Sequence, residues 1–260
     1  MLKKSQGTPA FIPFIVAGHP SIEATEKTID ILVEEGANLI EVGVPFSDAM
    51  ADGPVIQKAS EEASKKLASV DQVLEITSRI HKKHPQVPLI LFTYFNPLYR
   101  FGLEKFASLA KSSGIAAVLV VDLPPEEATS YLKILEKNSL KTIFLASPTT
   151  SESRLAKIAD ASSGFIYYVS RAGVTGVQNE VSQSLPQEIK KIRSLTDKSI
   201  AVGFGISNGS QAAQVAKIAD AVVVGSAFVK LAAQNDFDSI RKLAREISTS
   251  IQNQGALTTK

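Results

Sequence analysis

The stretch Leu39–Gln57 reads LIEVGVPFSDAMADGPVIQ. It opens on an apolar run without polar–apolar alternation, the pattern of a strand buried on both faces of a parallel sheet. A stiffer segment follows, bounded by Pro45 and Pro54 and carrying Asp48 and Asp52. Glu41 sits inside the apolar run, between Ile40 and Val42, where a charge is unwelcome. A parallel strand needs a long crossover, usually a helix, to reach its neighbour. The fold therefore turns on whether the rest of the chain repeats this unit.

It does. Further runs rich in Val, Ile and Phe predict strands near Phe11–Ala17, Leu89–Tyr94, Ala117–Val121, Thr142–Ala146, Phe165–Val169, Ser199–Gly203 and Ala221–Val224, beside the one at Leu39–Gly43. Apolar residues at helical spacing predict helices over Ile22–Glu35, Val70–Lys83, Leu185–Leu195 and Phe237–Ile251. Gly36 is placed to stop the first at its C′ position. Strands alternating with helices through 260 residues, with no linker-like stretch, predict a single-domain α/β chain. Its architecture is a closed, eight-stranded parallel (β/α)8 barrel of the TIM type, for which this is the usual size. A doubly wound open sheet is the alternative. Residues 1–8 read as a short N-terminal segment and residues 253–260 as a frayed tail. Pro13 is out of place in a paired strand, unless the strand bulges there or starts at Phe14.

Composition narrows the function classes. The chain is 44% hydrophobic, enough for a sizeable core, and 28 basic against 26 acidic residues leave a net charge of +2. That balance gives no reason to expect nucleic acid or a membrane surface as partner. There is no cysteine, which removes disulfides and thiol chemistry and fits a cytoplasmic enzyme. The basic, then apolar, start MLKKSQGTPAFIPFIVAGHP lacks a signal peptide's continuity, because Pro13 interrupts the apolar run.

The connections after the second and sixth strands, Pro45 to about Ala68 and Ser170 to about Ser184, are the long ones. In a barrel such loops lie on the face where chemistry is done. Glu41 must then either point into the barrel mouth or be buried beside a Lys or Arg; burial raises its pKa toward the range useful for a general acid or base. Tyr167, on the sixth strand, is within reach of it across a barrel. Asp52 and Asp48 are equally readable as turn or capping residues, since Asp-Gly-Pro is turn chemistry by itself.

Glycine segments leave three successive strands: SRAGVTG (Ser170–Gly176), GFGIS (Gly203–Ser207) and VGSAF (Val224–Phe228). Glycine permits close backbone approach, and loops after the seventh and eighth barrel strands recurrently bind phosphate. Asn96 and Asp122 end the third and fourth strands. His81 and His84 read as a solvated helix face and His19 as a loop residue. No cluster has metal-ligand spacing.

PFSDAMADGPVIQ strongly resembles the second-loop signature of tryptophan synthase alpha chains. SRAGVTG, GFGIS and VGSA resemble that family's phosphate-site segments in the same order, and FIPFIVAGHP and VDLPPEE match as well. The resemblance implies a lyase of tryptophan biosynthesis that cleaves indole-3-glycerol phosphate to indole and glyceraldehyde 3-phosphate. It implies Glu41 as acid/base, Asp52 as acceptor of the indole N–H, Tyr167 as support for Glu41, and Thr175 as a partner for Asp52 when the sixth loop closes. Phe14, Phe92, Tyr94, Leu119 and Phe204 would flank the indole. Gly176, Phe204, Gly205, Gly225 and Ser226 would hold the phosphate. No cofactor is implied in this chain; pyridoxal phosphate belongs to the partner beta chain of an α2β2 assembly, with Pro45, Asp48, Ala49, Asn96 and Pro97 facing it. Ala49 departs from the family's usual proline, and Met1–Gly7 is too short for the N-terminal helix many relatives carry. A catalytically weak regulatory subunit, or another phosphate-binding barrel, are the competing readings.

Overall fold

The computed structural model describes residue 2 and residues 8–67, 69–170, 182–203 and 205–258, with side chains to residue 254. Eight strands, β1 (Ala10–Val16), β2 (Ile40–Gly43), β3 (Leu89–Thr93), β4 (Ile115–Val120), β5 (Lys141–Ala146), β6 (Ile166–Val169), β7 (Ile200–Gly203) and β8 (Ala221–Val224), close into a barrel in sequence order. Every neighbouring pair is parallel, β8 with β1 included. The helices are α1 (Ile22–Glu34), α2 (Pro54–Ser64), α3 (Val70–Lys83), α4 (Phe95–Phe101), α5 (Leu103–Ser112), α6 (Thr129–Lys137), α7 (Glu152–Ala161), α8 (Leu185–Leu195), α9 (Gly209–Ala216), α10 (Ser226–Ala233) and α11 (Phe237–Thr258).

The closed sheet is the barrel expected from the repeating apolar runs, and the open alternative falls. Side chains alternate inward and outward along each strand. Ile12, Ile90, Leu119, Ile143, Phe165 and Val223 belong to the cluster that fills the interior. Residues such as Ile15, Val42, Leu91, Val118 and Val202 pack outward with the helices in a second, larger core. Both faces are apolar, so the strands show no alternation in sequence.

Pro13 sits where β1 changes partners: its pairing with β8 ends at Pro13, and its pairing with β2 begins at Phe14. The missing N–H thus falls just before the β2 ladder starts. Local chemistry sets the helix ends. Ser21 accepts from Ala24 N–H at 3.1 Å at the start of α1, and Gly36, at φ +95°, follows its end. Two helical expectations change. The Pro45–Ala68 connection contains α2, begun by Pro54 at its first turn, and α11 continues past Ile251 to Thr258. Alanines and a serine are all that α2 buries, so it lacked the large apolar stripe by which the four expected helices were read.

Helix α11 fastens the end of the chain to its beginning. Arg245 makes a two-pronged pair with Glu35 at 2.8 and 2.9 Å, and Arg241 adds 2.8 Å to Glu35 and 2.7 Å to Glu34. His81, in the last turn of α3, and His84, which caps its C-terminus, are not a solvated face. His84 meets Asp30 of α1 at 2.7 Å, and His81 packs where Gly114 leaves room, within 2.2 Å of any Cβ placed there.

Candidate active site

A cavity of about 310 Å³ opens at the C-terminal end of the barrel. Its walls are Phe14 of β1, Phe92 of β3, Val121 just past β4, Leu145 of β5, Tyr167 and Val169 of β6 and Val223 of β8. Asp52 and Gly53 close one side. Gly205, Ile206, Ser207, Gly225, Ser226 and Ala227, in the turns after β7 and β8, form a further part of the rim. The result is an apolar slot with a carboxylate and backbone-rich turns on its rim.

The two expected acids occupy different settings. Glu41 is fully buried, and among the described residues neither carboxyl oxygen has a hydrogen-bond partner. Burial pushes its pKa up to about 8, so it is protonated at neutral pH. Among the described residues no Lys or Arg neutralises it, which argues against the ordinary structural explanation for an acid in a strand. Its Cα is in register with Phe14 and Ile90. Glu41 is not itself on the cavity wall. The Phe14 ring reaches to Gly43, where a Cβ would stand 2.8 Å from it, one inward position nearer the mouth than Glu41. Phe14 then meets Phe92 edge-on, with ring centroids 5.0 Å apart. Gly43 is required here for that close approach.

Asp52 lies on the loop before α2. Tyr94, just past β3, donates its hydroxyl to Asp52 Oδ2 at 2.8 Å and accepts from Ala51 N–H at 3.0 Å. Partial burial raises the Asp52 pKa, and the Tyr94 hydrogen bond opposes that by favouring the ionised form. Tyr167 lines the cavity with its hydroxyl against Gly203, where a Cβ would lie 2.4 Å away. Burial first, then the fields of Glu41 and Asp52, hold its phenol well above the usual range, so it stays a neutral donor. No hydrogen bond joins it to Glu41 in this arrangement, since both Glu41 oxygens are unpartnered.

On the rim after β7, Gly205 adopts φ +78°, a conformation open mainly to glycine. Gly225 precedes α10, and Ser226 and Ala227 form its first turn. First-turn N–H groups lack intrahelical acceptors and favour anions.

The remaining expectations divide. Phe14, Phe92, Tyr167, Gly205, Gly225 and Ser226 converge on the cavity with Asp52. Tyr94 and Leu119 do not line it. Tyr94 is turned onto Asp52 and Phe46, and Leu119 is fully buried in the interior cluster. The inward position nearer the mouth on β4's continuation is Val121, two residues on, which sequence reasoning missed along with Leu145 and Val169. Following the inward alternation to the last layer of the expected strands Ala117–Val121, Thr142–Ala146 and Phe165–Val169 would have found them. Thr175, Gly176 and Phe204 lie outside the described residues. Asp48 and Asn96 are exposed, whereas Pro45 and Ala49 are buried within the chain itself. Asp122 accepts from Phe95 N–H at 2.7 Å and so caps α4. Among the described residues, no group of three His, Asp or Glu is placed to hold a metal ion, and no helix is long and apolar enough to cross a membrane.

Comparison with known proteins agrees with this geometry. The family model for the tryptophan synthase alpha chain matches residues 1–258. The tryptophan synthase alpha chain of Zymomonas mobilis is 45% identical over 256 residues, covering 96% of this chain and 93% of that protein. That of Geobacter sulfurreducens is 44% identical, covering 95% and 92%. Among solved structures, Mycobacterium tuberculosis tryptophan synthase superposes with a TM-score of 0.88 at 33% identity, over 95% of this chain and 94% of that one. Tryptophan synthase subunit alpha from Legionella pneumophila gives 0.86 at 35% identity, over 94% and 93%. With the motifs, the barrel and the relatives in agreement over nearly its whole length, the chain belongs to the tryptophan synthase alpha chain family.

Proposed function

We propose that Glu41 and Asp52 carry out the reaction of this family in this chain, the retro-aldol cleavage of indole-3-glycerol phosphate to indole and glyceraldehyde 3-phosphate. The flat indole occupies the slot between Phe14, Phe92 and the apolar side chains of β4 to β6. The phosphate lies on the rim formed by Gly205, Gly225 and Ser226, with Gly176 and Phe204 as further contacts. Protonated Glu41 delivers its proton to the ring carbon that bears the side chain. Positive character then develops at the ring nitrogen, and ionised Asp52 accepts its N–H, an electrostatic effect largest in the transition state. The side-chain hydroxyl then gives its proton to the Glu41 carboxylate left by the first transfer, its oxygen becomes the aldehyde carbonyl as the carbon–carbon bond breaks, the electron pair of that bond returns to the ring, and the aldehyde leaves as glyceraldehyde 3-phosphate.

The observation that carries this reading is the buried, unpaired and protonated Glu41 beside a cavity edged by a second acid of different character. Two carboxyls can divide the work of acid and anion only if their surroundings separate their pKa values. To reach the slot, the Glu41 side chain must turn past Phe14. Among the described residues it has no hydrogen bond to break in turning. Tyr167, already on the wall, is the donor that would receive it there, and Thr175 would meet Asp52 as the sixth loop closes. The reaction draws on no cofactor within this chain. The indole passes to a pyridoxal-phosphate-dependent beta chain in an α2β2 assembly, facing exposed Asp48 and Asn96 with Pro97; the setting is the cytoplasm.

The test is indole release from indole-3-glycerol phosphate, with and without beta chain. Turnover that collapses in Glu41→Gln supports the assignment. A chain that only stimulates the beta chain, and forms no indole, would be the regulatory subunit instead.

A further inference from the structure

Between β2 and α2 the loop that carries Asp52 has no regular structure of its own. What holds it is α2. Ser60, 4% exposed, accepts a hydrogen bond from Phe46 N–H at 2.8 Å and donates one to the Phe46 carbonyl at 3.0 Å. One hydroxyl can donate once and accept twice, so it satisfies both main-chain groups of a single loop residue. Gln57, on the same face of α2 by its spacing, donates its side-chain amide to the Asp52 carbonyl at 2.8 Å. The Phe46 ring packs on the Tyr94 ring, with centroids 5.2 Å apart, and the Tyr94 hydroxyl is the donor to Asp52. The chain of contact from Ser60 to the Asp52 carboxylate is therefore continuous.

We propose that Ser60 is a positioning residue for the cleavage: by clasping Phe46 it fixes the ring against which Tyr94 rests, and so keeps the Asp52 carboxylate at the cavity. Ser60 acts through Asp52 and does not line the cavity, so the proposal rests on the Asp52 reading above. Alanine at this position leaves the part-buried N–H and carbonyl of Phe46 without their partner, and the loop recovers them by opening further to water. Opening moves Asp52 away from the ring nitrogen. It leaves the rim at Gly205 and Ser226 in place, because those residues follow β7 and β8. The loss therefore falls on turnover more than on substrate binding.

The experiment is steady-state indole release by the full chain with saturating beta chain, for wild type, Ser60→Ala, Asp52→Asn and the double variant. A group that acts only through another gives non-additive losses. Ser60→Ala is expected to lower kcat about tenfold with KM nearly unchanged, the scale of one weakened charged hydrogen bond. It is expected to cost nothing further in the Asp52→Asn background. Ser60→Thr, which keeps the hydroxyl, should recover most of the activity. Additive losses, a loss confined to KM, or wild-type kcat in Ser60→Ala would overturn the proposal. If circular dichroism shows Ser60→Ala unfolded, Phe46→Leu takes its place, since it keeps the main-chain bonds to Ser60 and removes the ring under Tyr94. It is expected to show the same non-additive fall in kcat, and wild-type turnover would break the link. Wild-type turnover in Asp52→Asn would overturn both this proposal and the reading it rests on; an inactive Asp52→Asn with additive Ser60→Ala would overturn this proposal alone.

Discussion

Glu35 and Glu41 lie a few residues apart at the two ends of the α1–β2 connection, and both side chains are nearly excluded from solvent, at 8% and 0%. Their chemistry is opposite. Arg245 first, and then Arg241, hold the Glu35 carboxyl below the usual range. Among the described residues nothing holds Glu41, and burial raises it to about 8. One acid joins the last helix to the first; the other is kept neutral and unattached beside the cavity. Burial by itself does not mark a functional acid. Burial without a partner does, because the folded chain then carries a cost that only chemistry explains.

The largest expected effect that separates the two acids is on turnover. Glu41→Gln should cut indole release by at least about 100-fold, the usual scale of a lost acid–base group. Asp52→Asn should do the same by removing the anion that meets the ring nitrogen. Glu35→Gln should leave kcat unchanged, and an equal loss there would erase the contrast.

Stability against pH is the next contrast, and the signs are opposite. The Glu41 pKa is raised on folding, so the stability difference is absent below the ordinary value of 4.5 and grows as pH rises toward about 8. Glu41→Gln should therefore become more stable than wild type by about 1.4 kcal/mol per pH unit across that window, and no further above it. Glu35 is depressed, so its contribution is present above the ordinary carboxylate range and is lost as pH falls through its folded value. Urea melts of both variants from pH 4 to 9, taken as roughly the span of these ionisations, check the crossing directions.

Tyr94→Phe sharpens the role of the second acid. It removes the donor to Asp52 but keeps the ring on Phe46, and should lower kcat about tenfold, with the acid limb of the rate profile moving to higher pH. A change in KM alone would place Tyr94 in the slot after all. The smallest effect belongs to Arg245→Ala, whose exposed guanidinium makes the pair with Glu35 weak. A slight fall in melting temperature at neutral pH, absent in acid, is its signature.

The barrel was legible because every strand is apolar on both faces and every crossover is helical. The misses have local causes. Helix α2 buries only Ala59, Ser60 and Ala63, too small a stripe to register as amphipathic. The site was legible where one residue type is out of place, as Glu41 is between Ile40 and Val42. It was not legible where position along the barrel axis decides. Leu119 and Val121 share a face and differ by one layer, and only the register of β4 tells which reaches the cavity. Tyr94 was expected on the wall from the family resemblance. Its hydroxyl, pointed at Asp52, is a fact of three dimensions. Ser60 carried no signal at all, since a serine in a short helix is ordinary until its hydrogen bonds are seen.

The measurement closest to the central claim is infrared difference spectroscopy of wild type against Glu41→Gln across a pH series. A protonated carboxyl band assigned to Glu41 should be present at pH 7 and bleach as pH passes about 8. A Glu41 already ionised at pH 6, about where ordinary carboxylates have lost their protons, would contradict the account.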